Sequence, residues 1–144
     1  MRLELYQAET TRIATEQTAL LEEAQFRLVS GKELSRLEQN GVLHALQVLV
    51  ENAIGKAKQL LKAANESVPV SAYDAFDSLV RRGEINQEDL EQWNSVIGLR
   101  NRIVHDYMNI DMKLVYQMII QKQYLFLTEF LCKPITVCDL DGKQ

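Results

Sequence analysis

The run ELSRLEQNGVLHALQVLVENAIGKAKQLLKAAN, residues 33–65, places apolar side chains at Leu34, Leu37, Leu46, Leu49, Val50, Ala53, Ala57, Leu60 and Leu61. They recur at steps of three and four, the period of a helix that buries one face, and no proline interrupts them. A single long helix is the expectation. The tetrapeptide SGKE just before it, residues 30–33, reads as a chain break followed by a capping box, with Ser30 as N-cap and Glu33 reaching back.

Working outward, residues 3–29 are rich in Glu, Gln, Ala and Leu, all good helix formers, and predict an N-terminal helix. On the other side Pro69 breaks the chain, and Ser71 with Asp74 resembles a second capping box opening a short helix to about Arg82, ended by Gly83. Asn86, with Asp89 three positions on, starts a further helix through Trp93. Asp111 caps a last one, MKLVYQMIIQKQYLFLTEFL, which Pro134 closes. No segment alternates polar and apolar residues as a strand does. The expected fold is an all-α, up-and-down helical bundle of four main helices and one short one. It forms a single domain over residues 1–144, with a helix inside 1–30 and a short tail at 133–144.

Composition bounds the function. The chain has 144 residues, 47% hydrophobic and 25% charged, as in an ordinary soluble domain. Nothing approaches 18 consecutive apolar residues and MRLELYQAET has no apolar signal region, which predicts a cytoplasmic protein with no membrane partner. The net charge of −4 excludes a broad basic surface, so any nucleic-acid contact must come from a local patch or an interface that gathers arginines. Cys132 and Cys138 have no neighbouring histidine and read as incidental thiols, neither metal site nor disulfide.

One stretch departs from this pattern. GLRNRIVHDY, residues 98–107, continues the helix of Trp93 yet holds two arginines, an asparagine, a histidine and a tyrosine. On a helical projection Trp93, Val96, Ile97, Ile103, Val104 and Tyr107 form one stripe, and Arg100 falls within it. A guanidinium stays charged and is costly to bury alone, so it must reach an acid or a second surface. Arg100 and His105 are about 140° apart on a regular helix, whereas Asn101 and His105 share a face. Arginine and histidine can meet if the helix bends or ends near Val104, or if two copies of the chain build the site together. The chemistry such a pair offers is RNA cleavage, with histidine as acid or base and arginine beside the developing phosphate charge. Each residue also has a plain reading: Arg100 in an ion pair, His105 at a helix end, Tyr107 in the core, His44 at the surface.

The order of the residues narrows the choice. Leu99-Arg100-Asn101, then Val104-His105-Asp106-Tyr107, then Ile110-Asp111 resembles the R-x4-H-x-Y signature of HepT-type proteins of the HEPN superfamily, and Arg100, Asn101, His105 and Tyr107 all match. VSAYDAFDSLVRRGEINQEDLEQW and IDMKLVYQMII are similar to that family's middle region and final helix. The resemblance implies a homodimer whose motifs line a shared cleft. It implies a metal-independent endoribonuclease toxin, without cofactor, cutting tRNA or mRNA to leave a 2′,3′-cyclic phosphate. His105 would be the acid/base, Arg100 would hold the scissile phosphate, and Asn101 would orient the phosphate or the histidine. A nucleotidyltransferase antitoxin would transfer AMP onto Tyr107 and block the cleft. The alternative is a non-catalytic dimer of the same type that binds RNA, a nucleotide or the nucleotidyltransferase. Arg102 receives no role from the resemblance. Lys56, Lys58 and Lys62, or Arg81 and Arg82, could form a basic rim, though solvated helix faces are the plainer reading.

Overall fold

The computed structural model describes residues 3–135. It contains α1 (Leu3–Val29), α2 (Arg36–Ala63), α3 (Ala72–Arg81), α4 (Leu90–His105), α5 (Met112–Ile120) and α6 (Leu125–Cys132), with single 3-10 turns at Gln87–Asp89 and Tyr107–Asn109. There is no strand among the described residues. The all-α expectation holds; Cys138 and most of the tail lie outside the described residues.

The long apolar run is the axis of the bundle. Leu43, Leu46, Leu49, Val50, Ala53, Ala57 and Leu61 of α2 are almost fully buried, and α2 packs against α1, α3, α4 and α6. Its start differs from expectation. The capping box is Ser35 with Glu38, because Ser30 is used up in the turn that ends α1. There Gly31 takes φ +84°, and the Lys32 amide donates to the Arg27 carbonyl, which closes α1. Gly83 closes α3 in the same manner, and Asn65 closes α2. Ser71 caps α3 through the Asp74 amide as expected. Asn86 makes no side-chain cap, and its helix begins as a 3-10 turn before α4 proper.

The last helix is two. Lys122 adopts φ +54° and the Gln123 amide bonds the Met118 carbonyl, so α5 ends in a left-handed turn at a residue that gives no sequence warning. The turn frees α6 to dock elsewhere. While α5 lies on α1, α6 packs on both α1 and α2. Trp93 anchors α4 to this frame: its ring stacks on Phe76 of α3 at 4.3 Å and meets the edges of Phe126 and Phe130 of α6 at 4.8 and 5.0 Å.

The cations that could have built a basic rim are largely engaged elsewhere. Lys56 is buried at 2% exposure, and its ammonium donates to the carbonyls of Phe130 (2.8 Å), Leu131 (3.4 Å) and Lys133 (2.6 Å) while lying 5.3 Å from the Phe130 ring. It satisfies carbonyls that the end of α6 leaves without helical partners. Arg82 is bound to Glu84 and Glu66, and its pKa is raised above the ordinary arginine value, chiefly by the hydrogen bond to Glu84. Lys58 donates to the Val70 carbonyl and Arg81 pairs with Asp77. Four of these five cations thus hold a partner in the fold, its loops or their own helix.

Two outcomes test this account. K56M leaves the α6 carbonyls unsatisfied in the interior and should lower stability in urea by about 2–4 kcal/mol. K122G removes the left-handed strain and should raise it by about 0.5–1 kcal/mol, read in the same titration.

Candidate active site

α4 stays helical through His105, and the Asp106 amide still donates to the Arg102 carbonyl at 2.7 Å. Asp106 then leaves the helix at φ −146°, ψ 42°. The reason is local: its side chain accepts from the Asn109 amide group at 2.7 Å and its carbonyl from the Asn109 backbone at 3.1 Å, a turn that competes with further helix. His105 is therefore the last helical residue and is exposed.

The early end of α4 corrects the expected stripe. Trp93, Val96, Ile97 and Ile103 are buried, but Val104 is 45% and Tyr107 42% exposed, so neither belongs to the core. Tyr107 instead sits in the 3-10 turn and donates its hydroxyl to Asn40 Oδ1 on the first turns of α2. Asn40, missed in the sequence, is 67 residues away and belongs to no motif. His44 lies one turn further along the same face of α2, exposed, as its plain reading had it.

Arg100 follows the stripe. It is half-buried, its Nε is inaccessible to solvent, and that Nε has no hydrogen-bond partner. Among the described residues no carboxylate forms an ion pair with it. Asn101 is half-buried. Because the helix does not bend before His105, Arg100 and His105 keep their divergence of about 140° and are not brought onto one face of a single chain. Tyr107 reaches α2 through Asn40, whereas Arg102 lines a groove between α4 and α5. Exposed apolar side chains flank the Tyr107–Asn40 contact: Met108 at 87% and Leu37, one turn before Asn40, at 82%. No group of three or more His, Cys, Asp or Glu side chains is placed to hold a metal ion among the described residues.

This arrangement can be set beside known proteins. Residues 13–133 match the family model described as Ribonuclease HepT-like, which takes in α2 through α6 and most of α1. The chain belongs to the HepT-like ribonuclease family. A relative, the mRNA nuclease HepT of Shewanella oneidensis, is 28% identical over 81 residues, which cover 56% of this chain and 61% of the relative. The match thus spans about three-fifths of that protein's length. No solved structure matches. The family assignment agrees with the resemblance read from Arg100, Asn101, His105 and Tyr107. No helix of the described residues is long and apolar enough to cross a membrane.

The hydroxyl of Tyr107 is held only by an exposed side-chain bond. Y107F should therefore melt like the unmodified chain, losing at most about 1 kcal/mol by thermal denaturation, and so keep the fold for functional comparison.

Proposed function

We propose that this protein is an endoribonuclease that cuts RNA without a metal ion, at a site completed by a second copy of the chain. The observation that carries this reading is Arg100, a cation on a core-facing stripe whose buried Nε has no partner in its own subunit. A buried donor on a charged group is costly when unmet, and the exposed apolar side chains around it favour coverage by another surface. A twofold dimer supplies two arginines and two histidines, so that Arg100 of one subunit can face His105 of the partner subunit.

The chemistry follows from the residues. One imidazole of His105 takes the proton of the ribose 2′-hydroxyl, and the freed oxygen attacks the adjacent phosphorus. The bond to the 5′-oxygen breaks, and an imidazolium returns a proton to it, leaving a 2′,3′-cyclic phosphate and a 5′-hydroxyl. Arg100 binds the equatorial oxygens, where negative charge accumulates, through paired hydrogen bonds, and Asn101 orients the phosphate or the histidine. The name of the Shewanella oneidensis relative, an mRNA nuclease, favours messenger RNA as substrate. As a toxin the enzyme needs restraint, and the accessible Tyr107 hydroxyl is the place for it. A nucleotidyltransferase antitoxin joins the phosphorus of ATP to that oxygen, releasing pyrophosphate. The bulky, negatively charged AMP then stands beside the motif and repels RNA.

Purified protein incubated with messenger RNA in EDTA should release fragments with cyclic phosphate ends, and R100A and H105A should each cut about 10²–10⁴-fold more slowly. Equal cleavage by all three proteins would assign the activity to a contaminant. Co-expression with a nucleotidyltransferase should add whole AMP units to the intact mass at Tyr107, and Y107F should escape both modification and neutralisation.

A further inference from the structure

A groove of about 730 Å3 lies between α4 and α5, which do not pack closely on each other. Its α4 wall includes Ser95, Gly98 and Arg102, spaced three and four residues apart. The next position on that line is His105, three residues beyond Arg102. Within one subunit, then, the cation that shares a face with His105 is Arg102 and not Arg100. Arg102 is exposed, and no carboxylate of the described residues forms an ion pair with it.

The lining away from Arg102 is of a different kind. Asn94, Gln117 and Gln121 contribute amides and Ser95 a hydroxyl, set among apolar side chains that include Leu99, Leu114, Met118 and Phe126. Glu88 and Glu91 stand at the far end, about 16 Å or more from Arg102 along the helix axis. Asp111 also lines the groove, with its carboxylate engaged by the Lys113 amide as the cap of α5. A phosphate is attracted at the Arg102 end and repelled at the glutamate end, whereas a nucleobase suits both amides and carboxylates, which accept from its amino and imino edges.

We propose that the α4–α5 groove is the subsite for the nucleotide next to the cleaved bond. Arg102 holds the phosphate flanking the scissile one, and the floor of mixed amide and apolar side chains receives an unstacked base of single-stranded RNA. Arg102 is thus a specificity-determining residue: the strand enters from His105, crosses Arg102 and turns its base inward. The assignment rests on the ribonuclease reading above and adds to it a reason why cleavage depends on the neighbouring base.

The test uses the full chain carrying H105A, which can bind without cutting, and fluorescent single-stranded RNA 12-mers of varied sequence. R102A in this background should weaken binding about tenfold and reduce the salt dependence by about one counterion. Q117A should leave the salt slope unchanged and flatten the preference among sequences. Photo-crosslinks from a thiouridine next to the cleavage position should fall on α5, in residues 112–121. In the cutting enzyme, R102A should raise KM, shift the distribution of cut sites and keep the pH profile. Unchanged binding and an unchanged cut-site pattern in R102A would overturn the subsite. So would dissociation of a dimer by R102A or Q117A in sedimentation, which would make the groove a protein interface. If the unsubstituted chain binds RNA through Arg102 yet never cuts it, the nuclease reading fails and the groove stands as an RNA-binding site with no cleaved bond beside it.

Discussion

An α-helix advances 100° per residue, and α4 keeps that rotation from Leu90 to His105 without a kink. The organisation of the candidate site follows from this constraint. It directs Arg100 and His105 about 140° apart, so a chemical pair written five residues apart is not gathered on one face of a single chain. The helix is held rigid where it matters by Trp93, whose ring is enclosed by Phe76, Phe126 and Phe130 from two other helices. A site assembled on such an element has its geometry set by packing rather than by loop conformation. The second subunit and the RNA strand proposed above would approach this helix from different faces.

The divergence separates two roles that a single cleft usually merges. Around the end of α4 and the start of α2 lie an unmet guanidinium donor, the Tyr107 hydroxyl with its Asn40 partner, and exposed apolar surface at Leu37, Val104 and Met108. These features suit association and control. Arg102 instead borders the groove, whose amides and apolar side chains suit an unstacked base. A net charge of −4 is compatible with contacts made through a few local cations in place of the broad basic surface that the composition excludes.

Much of the fold was legible because its signals are local. The three- and four-residue recurrence in 33–65 announced α2, and glycines 31 and 83 marked two helix ends through the one backbone region they enter freely. The errors have equally physical causes. Ser30 and Ser35 both precede a glutamate at the third position, and only the turn closed by Gly31 decides that the second pair forms the cap. Lys122 makes the same kind of turn as Gly31 with no residue preference to betray it, so α5 and α6 read as one helix. Val104 and Tyr107 were assigned to the core because a projection continues past the point where Asp106 and Asn109 stop the helix. In the candidate site, Arg100, Asn101, His105 and Tyr107 were singled out by the resemblance of their order to the HepT-type signature, their spacing alone being a weak pattern. Asn40 was not, since a contact across 67 residues leaves no trace in either segment, and neither was Lys56, a lysine on an exposed-looking heptad that turned out to be buried.

Lys56 links the middle of the longest helix to the last turn of the final one. During synthesis α2 is complete long before residues 130–133 leave the ribosome, so throughout that interval its ammonium lacks the three carbonyls that later receive it and must stay hydrated. Closure of the interior around α2 is thereby coupled to the docking of α6: the amine can leave water only once those carbonyls are in place.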